Sequence, residues 1–475
     1  MGRKETAQTF ILIDKERLLL SSFALCHMSR AVIFVDSKSR DLMGTALIAH
    51  HLAKRGVECR LEPLEAWRAC IGAWKPDFLL FNHLNAKHLA GFSQQCRQWG
   101  ILVGVLPNEG IFYIDGTLDY NSRKQFADTH CDYLFCWNSP HRDALIRSGF
   151  CESPERIIPV GVPRFDFYTR PWRKLFEKPP VQTDRPIILV NSNFSLAHFK
   201  FLPPKYADNF FGQWTHVSPI YADYWRAIDA SVTGRARFIE HLSALIAADK
   251  YHVIVRPHPR EDPNFYLDWH QSLTVAQRQH LRLAFKENIS ELIVNSDLEI
   301  SCENCTTTLE AWICKKPTIG LIFEKHPFFY TPEVAKLLPE CDDPSRLVSM
   351  IDHALAHPAQ EDYAAGRLNH MEKWIYKVDG NASERVAEEI ARAIASRDRP
   401  KQINLDFSNW RRGAKLRFAR WFGEPCHVAP LLFFRRIFRG DRGKQTLRYR
   451  DYLKAIRPAD ERRARAMIRT VDPVH

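Results

Sequence analysis

The stretch Tyr251-His252-Val253-Ile254-Val255 stops abruptly at Arg256-Pro257-His258-Pro259, and its reading decides the fold. About forty residues later a second apolar run, Leu298-Glu299-Ile300-Ser301-Cys302, stops at Glu303-Asn304-Cys305-Thr306-Thr307-Thr308. A helical pattern follows from Leu309 to Cys314, then Pro317 and a third apolar run from Thr318 to Phe323. Strand, polar loop, helix, strand is the order of a parallel α/β sheet. Ligands of such sheets bind beyond the carboxyl ends of the strands, where both polar loops fall.

Outward from this stretch the same grammar repeats. Toward the N-terminus, apolar runs at Ala31–Val35, Val57–Leu61, Pro76–Phe81, Ile101–Leu106, Leu134–Trp137 and Ile157–Val160 alternate with helical stretches, among them Leu42 to Arg55. They predict an open, doubly wound α/β domain. A polar, proline-rich segment from Pro171 to Pro186 reads as a linker. A second α/β unit opens at Ile187-Ile188-Leu189-Val190 and ends in Asn191-Ser192-Asn193. The expected division is an extension at 1–29, a first Rossmann-like domain at 30–180, a second at 181–398 and a basic, aromatic-rich tail at 399–475. An aromatic-rich insert, Phe194 to Tyr224, interrupts the second unit before a helix predicted over Arg235–Ala248. Loops of that length are often functional, and a packing insert is the other reading.

Length and composition bound the rest. A chain of 475 residues is too long for one ordinary core. No apolar run of eighteen residues occurs, so no transmembrane helix is predicted. Charges break the N-terminal apolar run at Asp14 to Arg17, which argues against a signal peptide and for a cytoplasmic protein. The twelve cysteines read as reduced thiols; Cys302 and Cys305 form the one CxxC, without the second pair a zinc site needs. The net charge of +12 is concentrated in residues 401–475, which hold nineteen Lys/Arg against seven Asp/Glu.

Several strand ends carry candidate chemistry. Pro257 and Pro259 hold the backbone extended around His258, and Arg256 can pair with a phosphate in a bidentate fork. The other reading of His258 is a side chain capping a carbonyl. Thr306, Thr307 and Thr308 precede a helix whose start suits an anion, with the hydroxyls as added donors. Thr307 and Glu310 also have capping-box spacing, which is a structural role for both. Asn191 and Asn193 end the first strand of the second unit on the same side. Glu109, in Pro107-Asn108-Glu109-Gly110, is placed to act as general base on an alcohol, or is a solvated turn residue. No GxGxxG or Walker sequence is present, which weighs against dinucleotide and P-loop proteins.

Four segments carry a family resemblance: Ser39-Arg40-Asp41-Leu42 with Arg55-Gly56; Asn108-Glu109-Gly110; Val160-Gly161-Val162-Pro163-Arg164-Phe165-Asp166; and Arg256-Pro257-His258-Pro259 followed by Asn304-Cys305-Thr306-Thr307-Thr308. Over roughly residues 30–395 the chain resembles GT-B glycosyltransferases of bacterial surface carbohydrate biosynthesis. It is more distantly similar to polysialyltransferases and capsule Kdo transferases. The resemblance implies two Rossmann-like domains facing a cleft. It also implies transfer of a sugar from a nucleotide-activated donor, CMP-linked and Kdo- or sialic-acid-like, to a surface glycan or glycolipid. Asn108 replaces the first acid of the family's acidic-acidic-glycine motif and leaves Glu109 as base. His258, Arg256, Asn191, Asn193, Asn304, Thr306, Thr307 and Thr308 would hold the donor. No metal and no cofactor beyond the donor co-substrate is expected. Alternatives are a CDP-alcohol-dependent polyol-phosphate transferase and a non-catalytic scaffold of a polysaccharide assembly complex. Residues 408–450 interleave arginines with Trp and Phe, which suits an anionic membrane surface and a peripheral position on the inner face of the cytoplasmic membrane. A solvated helix packed on the body is the other reading, and nucleic acid is not expected as a partner.

Overall fold

The computed structural model describes residues 28–472 except 85, 112, 114–128, 150, 152, 180–183, 213, 216–218, 304 and 425–453. The extension expected at 1–29 therefore lies almost wholly outside the described residues, as do Asn304 and most of the second half of the basic segment.

Two six-stranded parallel sheets organise the chain. The first contains β1 (Arg30–Val35), β2 (Glu58–Pro63), β3 (Phe78–Phe81), β4 (Leu102–Val105), β5 (Tyr133–Cys136) and β6 (Ile157–Pro159). Its order is β2-β1-β3-β4-β5-β6. The second contains β7 (Ile187–Asn191), β8 (His252–Arg256), β9 (Leu281–Leu283), β10 (Leu298–Cys302), β11 (Thr318–Leu321) and β12 (Glu340–Cys341). Its order is β12-β11-β10-β7-β8-β9. Strands β3, β4, β10 and β11 are buried at every position, because helices cover both faces of a doubly wound sheet. Two doubly wound α/β units are thus present, as the sequence reading expected. Each sheet has one switch point, between β1 and β3 and between β7 and β10, and the polar strand ends gather there.

Strands β9 and β12 escaped the sequence reading because three and two residues are too few to show a period. The helix predicted from Arg235 begins eleven residues earlier and runs Tyr224–Ala247. Its first turns were hidden in the aromatic run of the insert, and several of those aromatics are packing residues while Phe201 and Tyr206 are exposed. Phe211 stacks on Tyr224 with ring centroids 4.8 Å apart, and Phe199, Phe211 and Ile228 share a satellite core.

The two domains share a core. Phe165 and Tyr168, which follow β6, lie in one buried cluster with Leu309 and Trp312 of the second domain. The chain then crosses back. The Ala382–Ala395 helix packs on the Lys38–Lys54 helix of the first domain, and Asp166 accepts hydrogen bonds from its first backbone amides, Ala382 N at 3.0 Å and Ser383 N at 2.7 Å.

Part of the expected tail is built into the first domain. The Phe407–Trp421 helix crosses the Trp67–Trp74 helix at backbone contact: a Cβ on Gly72 would lie 2.2 Å from the Asn409 carbonyl oxygen. Leu416 is buried in that crossing, and Arg420 pairs with the buried Glu62 and with Glu461. The opposite face leaves Phe407, Trp410, Phe418 and Trp421 exposed, with Arg411, Arg412, Lys415 and Arg417 beside them. Among the described residues no helix is long and apolar enough to cross a membrane.

Candidate functional site

The loop after β8 is fixed from beneath by a buried carboxylate. Glu261 accepts from the His258 amide at 3.1 Å, from the Ser192 hydroxyl at 2.7 Å and from the Tyr266 hydroxyl. Tyr266 is fully buried, so the network has nowhere to relax to. Burial raises the Glu261 pKa. His258 Nδ1 accepts from the Arg260 amide at 3.2 Å, which puts the ring proton on Nε2. Desolvation, with Arg260 and Arg256 nearby, pushes the His258 pKa down to about 4. At neutral pH His258 is therefore an uncharged hydrogen-bond donor through Nε2. Arg256 ends β8 half-buried, with no partner for its Nε.

The threonine cluster is arranged differently from the sequence expectation. The helix runs Thr307–Ile313 with Thr306 at its N-cap, and no side chain caps it. The Thr307–Glu310 capping box does not form because both side chains have stronger buried partners. The Thr307 hydroxyl donates to Glu299 Oε1 at 2.9 Å, and Asn191 Nδ2 donates to the same oxygen at 2.7 Å. Glu299 is wholly buried and its pKa is pushed up to about 7 by desolvation. Asn191 and Thr307 thus tie β7 to β10 at the switch point and direct these polar groups inward. Thr308 is buried with an unpartnered hydroxyl, while Thr306 and Asn193 are half-buried.

The facing half comes from the first sheet. Asn108 accepts from Asn82 Nδ2 at 2.9 Å, and its carbonyl accepts from Arg164 Nη1 at 3.0 Å. The Arg164 guanidinium lies 4.6 Å from the Trp137 ring, and Trp137 Nε1 donates to the Pro107 carbonyl at 2.8 Å. Gly110 is needed for close approach to that tryptophan, because a Cβ there would fall 2.5 Å from the Trp137 ring. The turn is thereby held, but its carboxylate is not. The Glu109 side chain is 52% exposed, and its contact with Arg40 is long, at 3.4 Å.

Glu310 joins the halves. It is buried, accepts from Tyr168 across the domain boundary, and has its pKa raised by desolvation. Arg164, Arg256 and Glu109 all lie near enough to act on its charge. Glu109 and Arg256, 147 positions apart in sequence, thus both act on the charge of Glu310.

Sequence reasoning missed three groups here. Arg164 stood in a quoted segment without a role. Arg40 was quoted likewise and is the partner of Glu109. Glu303, directly after β10, is 4% exposed and sits at a left-handed φ of 52°. Its pKa is pushed up to about 8 by desolvation, and one carboxyl oxygen has no hydrogen-bond partner. No sequence pattern marks a non-glycine residue for that backbone region. Among the described residues no group of three or more His, Cys, Asp or Glu converges as a metal site.

No family model and no curated protein matches the chain. Solved structures do resemble it. MnaA from S. aureus, solved with UDP, is 12% identical, covers 79% of this chain and 100% of its own, and gives a TM-score of 0.46. The wall teichoic acid polymerase TagF, solved with CDPG, is 14% identical over 78% of this chain and 90% of its own, with a TM-score of 0.45. MurG from Acinetobacter baumannii is 11% identical over 76% of this chain and 99% of its own, with a TM-score of 0.36. Likenesses at this level carry no argument about chemistry.

Proposed function

We propose that the chain is a GT-B glycosyltransferase that moves a sugar from a nucleotide-activated donor to a glycan or glycolipid acceptor. One observation carries the reading: His258 is a rigidly held, uncharged donor just beyond Arg256, and Arg256 and the half-exposed Glu109 of the other domain both act on the charge of Glu310. Arg256 and His258 Nε2–H would meet the donor phosphate and offset the charge that develops on the leaving group. Glu109 would take the proton of the acceptor hydroxyl as that oxygen attacks the anomeric carbon and the bond to the nucleotide phosphate breaks. Thr306 and Asn193, half-buried at the neighbouring strand ends, would complete the donor contacts.

The donor is proposed to be CMP-linked. The test is a thermal-shift panel of CMP, CDP and UDP on the wild type and on His258→Ala. A shift with CMP that His258→Ala reduces supports the donor half. A larger shift with CDP supports the polyol-phosphate alternative, and no shift with any nucleotide supports the scaffold reading.

Peripheral membrane attachment is proposed for the exposed aromatic and cationic face of the Phe407–Trp421 helix, whose charge suits an anionic leaflet. Co-sedimentation with phosphatidylglycerol vesicles, lost in a Trp410→Ser/Trp421→Ser double variant and absent with phosphatidylcholine vesicles, is the expected result.

A further inference from the structure

A second cavity, of about 610 Å³, opens beside the His258 loop and is walled by the insert, the Tyr224–Ala247 helix and the Pro263–Ser272 helix. That is the size of a small-ligand site. Arg235 lines it, although the residue is only 6% exposed. Its guanidinium lies 3.8 Å from the Phe265 ring centroid and 5.7 Å from that of Phe201. Among the described residues no carboxylate pairs with Arg235 and no hydrogen bond satisfies it. With no protein counter-charge and its guanidinium open to the cavity, Arg235 can be reached by a ligand anion.

The remaining walls narrow the ligand. Arg260 adds a second cation, its guanidinium 5.0 Å from the Phe210 ring. Phe201, at 68% exposure, presents a largely free aromatic surface at the rim. Asp268 also lines the cavity, from the helix that carries Phe265, and Asp262 is occupied in part by the Asn264 amide, 3.0 Å away. Aromatic surface, cations and a carboxylate acceptor together match a ring with both hydroxyls and a negative group. A bare anion would leave Phe201 and Asp268 without a role.

We propose that this cavity is a subsite for a sugar residue bearing an anionic substituent, a carboxylate or a phosphate. The ring stacks on Phe201, the anion pairs with Arg235 and Arg260, and a hydroxyl donates to Asp268. Because the Arg260 amide bonds His258 Nδ1, the bound sugar lies next to the candidate donor-phosphate site. Only that placement rests on the transferase reading; the recognition chemistry stands without it.

The experiment is calorimetric titration of the full chain with glucuronate and with glucose 6-phosphate, against methyl glucoside and inorganic phosphate. At least one acidic sugar is expected to bind more tightly than both controls. Its affinity is expected to fall about tenfold or more in Arg235→Met, through loss of a charge-assisted contact. In Phe201→Ala it should fall about fivefold, through loss of stacking. Phe201 is mostly exposed, so its removal keeps the test readable even where Arg235→Met does not fold. The proposal is overturned if neither acidic sugar binds, if methyl glucoside or phosphate binds as tightly, or if Phe201→Ala leaves acidic-sugar affinity unchanged. Nucleotide titration of the same proteins separates the two readings. Lost acidic-sugar binding with intact nucleotide binding assigns the subsite, and failure of the wild type to bind nucleotides strikes the transferase reading alone.

Discussion

The loop after β8 and the turn after β4 are built to different tolerances. The loop after β8 stands on a buried carboxylate with three donors, and its histidine is locked in one tautomer. The turn after β4 has its backbone pinned by Arg164 and Trp137, yet its Glu109 carboxylate is half exposed and loosely met by Arg40. Each kind of precision suits a different task. A phosphate-holding group gains most from being fixed before the ligand arrives, because reorganisation would cost part of the stabilisation. A base must meet an acceptor that enters from solvent, and tightens only in the complex.

Glu109→Gln should have the largest effect. It should lower kcat for transfer by about 10²–10⁴-fold while leaving nucleotide binding intact, because only the base is lost. Steady-state kinetics beside a nucleotide titration check it, and full activity removes Glu109 from the mechanism. His258→Ala comes next, with a loss of about 10²–10³-fold in kcat and weaker nucleotide binding. Because the His258 pKa is near 4, against 6.5 for the free group, the wild-type rate should show no His258 inflection between pH 5 and 8. A histidine inflection near 6.5 that disappears in His258→Ala contradicts the neutral-donor assignment.

Tyr168→Phe removes the hydroxyl that Glu310 accepts across the domains. It should cost about 1–3 kcal/mol in urea unfolding, since it leaves a buried carboxyl short of a partner. The last effect is a slope rather than a loss at one pH. Glu303 has a folded pKa of about 8 against an ordinary 4.5. The folded state therefore keeps a proton that the unfolded chain releases, and stability falls as pH rises from 4.5 to 8. Glu303→Gln should remove that share, at most about 1.4 kcal/mol per pH unit, seen as a flatter dependence of unfolding free energy on pH.

Much of the architecture was legible in the sequence because buried parallel strands announce themselves as apolar runs. β10 was bounded to the residue, and β1, β7 and β8 to within one or two. Edge strands of two or three residues carry no such signal. At the site, the strand-end loops were legible and their side-chain directions were not. Thr307 and Glu310 have capping-box spacing, but Glu299, on the preceding strand, and Tyr168, in the other domain, compete for them. Glu310 was read as structural in that local sense; its partner lies 142 residues away. Arg235 was out of reach for the same reason, since only folding reveals that a buried arginine lacks a carboxylate.

Asp166 accepts from the first amides of the Ala382–Ala395 helix, and the Phe407–Trp421 and Pro458–Val471 helices also seat on the first domain. The order of synthesis is therefore not the order of completion. The first sheet leaves the ribosome early, with Asp166 already in place and buried only later. Its missing helices are translated after the whole second domain. Until then the Lys38–Lys54 helix exposes the apolar face that the late helices cover. Chain termination near residue 400 should therefore harm the first domain more than the second, inverting the usual expectation that early-made domains survive truncation at the far end.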